Sequence, residues 1–72
     1  MNSFLVTVNH KNSVLLNEMC DGLSEAHMKA KEVAVDGAMV EIWEGFVGAD
    51  RWFDPHELIF SYKFNKEDEK DV

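Results

Sequence analysis

The chain holds one cysteine, Cys20, in 72 residues. That excludes a disulfide within one copy and suits a reducing compartment. Cations are also scarce. Seven Lys and Arg are scattered against fourteen Asp and Glu, for a net charge of −7. Phosphate backbones are held by clustered cations, so neither direct nucleic-acid binding nor attachment to an anionic membrane is expected. No apolar run approaches the roughly 20 residues that span a bilayer. The opening residues MNSFLVTVNH lack a basic start, a long apolar run and a small-residue cleavage pattern. The expectation is a soluble cytoplasmic protein whose acidic surface serves solubility or a basic partner protein.

Motifs for chemistry are missing too. His10, His27, His56 and Cys20 include no pair with the short spacing of a zinc half-site, so no metal or cofactor is expected. Cys20 has Asp21 beside it and no basic neighbour in sequence to lower its pKa. No G-x-S-x-G pattern surrounds Ser13, Ser24 or Ser61. The carboxylate pairs Glu41 with Glu44 and Asp50 with Asp54 would need a cleft to work in, and a domain this small has little material to wall one. Gly45 and Gly48 are followed by no lysine and form no phosphate-binding pattern. A non-catalytic protein is expected.

What is there is one helix signal among strand signals. Leu23 to Glu44, LSEAHMKAKEVAVDGAMVEIWE, reads as a helix that ends at Gly37 and turns into a strand over Met39 to Glu44. Ser24 offers an N-cap, Glu25 an anion in the first turn, and Leu23 a staple onto Met28. Ala26, Ala30, Val33, Ala34 and Gly37 share one stripe at helical spacing, and their small size lets the helix lie close to a sheet. Met28 and Val35 fall on the far side of that stripe.

Phe4 to Asn9 reads as a strand, with Phe4, Val6 and Val8 on one face and Leu5, Thr7 and Asn9 on the other. After the turn HKNS, Val14 to Met19 reads as its hairpin partner, with a helical turn from Ser13 as the alternative. Leu58 to Phe64 alternates clearly, placing Leu58, Phe60, Tyr62 and Phe64 together and Ile59, Ser61 and Lys63 opposite. Gly45 to His56 reads as a loop of about a dozen residues, in which Asp54-Pro55-His56-Glu57 resembles a helix start. The charged residues 66–72 read as a disordered tail, and residues 1–65 as one domain.

The fold class expected is α+β: a three- or four-stranded, mainly antiparallel sheet with one helix on one face, in the order β(β)αββ. One helix leaves the other face uncovered, with Leu5, Trp43 and Ile59 on it and Leu15 as a further candidate. Either the long loop folds back over these residues or they meet a partner. Self-association through this face or a sheet edge is expected. In the loop, Arg51, Trp52 and Phe53 are residue types that dominate interface hot spots; they equally suit a plug for the core.

The functional expectation is a small acidic interaction protein that blocks or modulates a partner, as inhibitors and accessory factors encoded by viruses and mobile elements do. Its contact residues would be Arg51, Trp52, Phe53, Trp43, Met28 and Val35. The rival expectation is a binder of a small ligand, with a pocket at the aromatic loop or a subunit boundary.

Overall fold

Five elements follow one another in the computed structural model, which describes residues 2–65: β1 (Asn2–His10), β2 (Ser13–Cys20), α1 (Leu23–Val33), β3 (Met39–Val47) and β4 (Phe53–Lys63). All neighbouring strands are antiparallel, in the order β2-β1-β3-β4. The fold is thus the expected α+β sheet with one helix, and Val14 to Met19 is strand rather than helix. The tail expected at 66–72 lies outside the described residues.

The β1–β2 connection is a two-residue turn. Lys11 (φ 47°) and Asn12 (φ 67°) are both left-handed, the pattern whose twist matches that of paired strands. From β2 the chain crosses β1 as α1 and returns as β3 on the far side of β1. Ala26 and Ala30 are fully buried beneath the helix. With only a methyl on each, the helix sits low on β1 and β2, and Val6, Val8, Val40 and Ile42 have no exposure either. Cys20, Ala34, Ala38 and Phe64 complete this core.

Both helix ends differ from the expectation. Gly22, extended at φ −136° and ψ 153°, occupies the N-cap position, and no side chain caps it. Ser24 is therefore inside the first turn, and Leu23 packs on the core instead of stapling Met28. At the other end, Ala34 is extended (ψ 138°), although its N–H still donates to the Ala30 carbonyl at 2.8 Å. The segment after it is tied to the end of β4: the Gly37 N–H donates to the Phe64 carbonyl, and the Phe64 N–H to that of Ala38. Those bonds hold Gly37 in a turn at φ 91°, and the helix stops before it. Val35 lies outside the helix, so the helical face it was expected to share with Met28 does not reach it.

The larger correction concerns the edge strands. In β4, Ile42 pairs with Phe60 but Trp43 pairs with Leu58, leaving Ile59 as a bulge residue; a second irregularity skips His56. Because side chains alternate with period two, one extra residue reverses the faces beyond it. Leu58, expected in the core, lies on the open face with Trp43, and Ile59 packs against the core instead. A bulge in β2 at Leu15 does the same, pairing Leu5 with Met19 and Phe4 with Cys20. The long loop and the helix start at Asp54 are also replaced: β3 and β4 run on to Val47 and Phe53, so only residues 48–52 connect them.

Candidate functional site

The residues expected to act together occupy three places. The first is the tip of the β3–β4 hairpin. The Arg51 N–H donates to the Gly48 carbonyl at 2.9 Å, and the Gly48 N–H to the Trp52 carbonyl at 3.3 Å. The Asp50 carboxylate accepts the Trp52 N–H at 3.2 Å. These bonds fix the backbone of the turn. At the tip Arg51 is left-handed (φ 66°), where glycine is the default residue. Trp52 is 75% exposed, so it does not plug the core.

The second place is the open face. Register puts Met19, Leu5, Trp43 and Leu58 in one row across all four strands. Met19 is 46% exposed and Leu58 38%, while Leu5 and Trp43 between them are half-buried. Beyond the row, Gly45 is buried, and a Cβ added there would meet the Phe53 ring at 2.6 Å and collide with the Asp54 carbonyl. Phe53 thus lies over the backbone of β3 at Gly45, and the hairpin supplies cover only at that end. Met19 and Leu58 were not legible as surface residues, because the two edge bulges decide their face.

The third place holds Met28 and Val35. Met28 is 62% exposed on α1, and Val35 is exposed in the connection after it. They belong to the helix side of the molecule and are not brought together with Trp43 on the open face.

His27 on α1 meets the Phe60 ring edge-on at 4.8 Å and lies over Tyr62 at 6.5 Å, filling the gap between helix and β4. Burial pushes the Cys20 thiol above its ordinary range; the nearby Lys29 ammonium pulls the other way, and Glu25 and Glu18 add to the rise. A thiol held protonated is a poor nucleophile. Among the described residues no group of three or more His, Cys, Asp or Glu could hold a metal ion, and no helix is long and apolar enough to cross a membrane. A cavity of about 200 Å³ lies between Glu44, Gly45, Phe46 and His56. It falls short of the roughly 300–1,000 Å³ of small-molecule sites.

Family models, curated proteins and solved structures were each compared with the chain, and none matches it.

Proposed function

We propose that this is a small acidic, non-catalytic interaction protein that works in the cytoplasm. It engages a partner protein through the β3–β4 hairpin tip and acts as an inhibitor or accessory factor. The observation that carries the reading is Trp52, three-quarters exposed on a turn that is already hydrogen-bonded into shape. A turn whose backbone is fixed before binding loses little further freedom on docking, and tryptophan and arginine are enriched at binding hot spots.

Arg51 supports the same reading. A non-glycine residue in the left-handed region costs roughly 1–2 kcal/mol. Its side chain contributes no hydrogen bond or ion pair that would offset this cost within the described structure. With a net charge of −7 over the whole chain, a partner of basic character fits best.

The test is affinity capture from the native host with wild type, Trp52→Ala and Arg51→Gly side by side. Both variants are expected to fold, with Arg51→Gly at least as heat-stable as wild type, and both to lose the captured partner. A partner retained at full strength by both variants refutes the hairpin as the contact.

A further inference from the structure

We infer that the open sheet face docks a second copy of this chain, face to face, about a two-fold axis that runs along the strands between β1 and β3. The inference is independent of the hairpin reading. It starts from the pattern of rows on that face. Met19, Leu5, Trp43 and Leu58 form an apolar row; Asn17, Thr7, Glu41 and Ser61 form the polar row next to it.

A two-fold contact must set a surface against itself, residue i facing j and j facing i. An axis along the strands keeps each row at its own level and exchanges β1 with β3 and β2 with β4. Leu5 then faces Trp43 of the second copy, and Met19 faces its Leu58, so apolar meets apolar throughout. In the polar row Thr7 faces Glu41 and Asn17 faces Ser61, so polar residues meet polar residues.

Size agrees. Four strands about 4.8 Å apart, each about nine residues long at about 3.3 Å per residue, outline some 500–600 Å². Side-chain relief brings that toward the roughly 800 Å² that each partner buries in a standard interface. Two sheets stacked this way keep their strands within about 30° of one another, the aligned packing of β-sandwiches. The bulges at Leu15 and Ile59 set this up, because each turns an apolar residue of an outer strand onto the open face.

The experiment is light scattering on the purified full chain, joined to cross-linking. Wild type is expected at twice the 8.3 kDa chain mass. Leu58→Lys and Met19→Lys should each run as folded monomers by circular dichroism, while Met28→Lys and Trp52→Ala remain dimers. In a Cys20→Ala background, Met19→Cys and Leu58→Cys chains are oxidised separately and then as a mixture. Cross-linked dimers should form only in the mixture, since the axis sets position 19 against position 58. A wild-type monomer at every concentration overturns the inference, as does a dimer that survives Leu58→Lys. Cross-linking of Met19→Cys chains alone places the axis elsewhere and overturns it equally. Loss of partner capture on Trp52→Ala with the dimer intact leaves both readings standing; loss of the dimer alone refutes only this one.

Discussion

On the covered face, Val6, Val8, Val40 and Ile42 have no exposure, because they share one core cluster with Ala26 and Ala30 of α1, Ala34 and Ala38 of the connection, and Phe64. On the open face, Leu5 and Trp43 occupy equivalent central positions yet stay half-buried, and Met19 and Leu58 beside them are 46% and 38% exposed. The two sets are similar in apolar character. They differ in what the chain supplies to cover them. Burial of the first set stabilises the monomer, whereas the second set contributes fully only when something outside the monomer meets it.

That contrast can be broken by substitution, from the largest effect down. Ile42→Ala empties a fully buried position and is expected to cost about 2–5 kcal/mol in denaturant unfolding. Gly45→Ala should cost about 1–3 kcal/mol, because the added methyl drives Phe53 and the Asp54 carbonyl off the hairpin backbone. Lys29→Ala removes the 2.8 Å pair with Glu18 that ties α1 to β2. With both side chains a third or more exposed, the expected loss in the same measurement is small and shrinks in high salt. Leu58→Ser, on the open face, should leave unfolding within about 0.5 kcal/mol of wild type when both are diluted to monomers. A large monomer destabilisation there would mean that the two faces are energetically alike.

A pH titration sharpens the contrast at the rim of the core. The Cys20 thiol is pushed up by burial, so the folded chain holds its proton at a pH where the unfolded chain has released it. The resulting stability is fully present below the ordinary thiol range near about 8.5, and is lost as pH rises through the folded value. Comparing melts of wild type and Cys20→Ala across that window should show the wild-type curve falling more steeply.

Much of the fold was legible. The alternation in Phe4 to Asn9 identified a strand and its buried face, and the turn at HKNS identified the hairpin. The alanine stripe found the helix and its inner side at Ala26 and Ala30, while Arg51 and Trp52 were found by residue type. The end of the helix was not legible, because Ala34 and Gly37 continue the helical spacing of Ala26, Ala30 and Val33, while Gly37 and Ala38 are hydrogen-bonded to Phe64, far along the chain. The β3–β4 hairpin was read as a loop because Gly45, Pro55 and two bulges interrupt its alternation.

The sequence by itself therefore determined the class of the domain, its acidic surface and which central residues face the helix. Tertiary structure decided the length of the hairpin and the make-up of the open face. The physical reason is parity. A strand's own alternation says which residues lie together, but one extra residue at a bulge exchanges the faces beyond it, and a bulge is fixed by pairing with a neighbouring strand. Leu15 and Ile59 are such residues, and through them Met19 and Leu58 join Leu5 and Trp43 in a row that no local pattern announces.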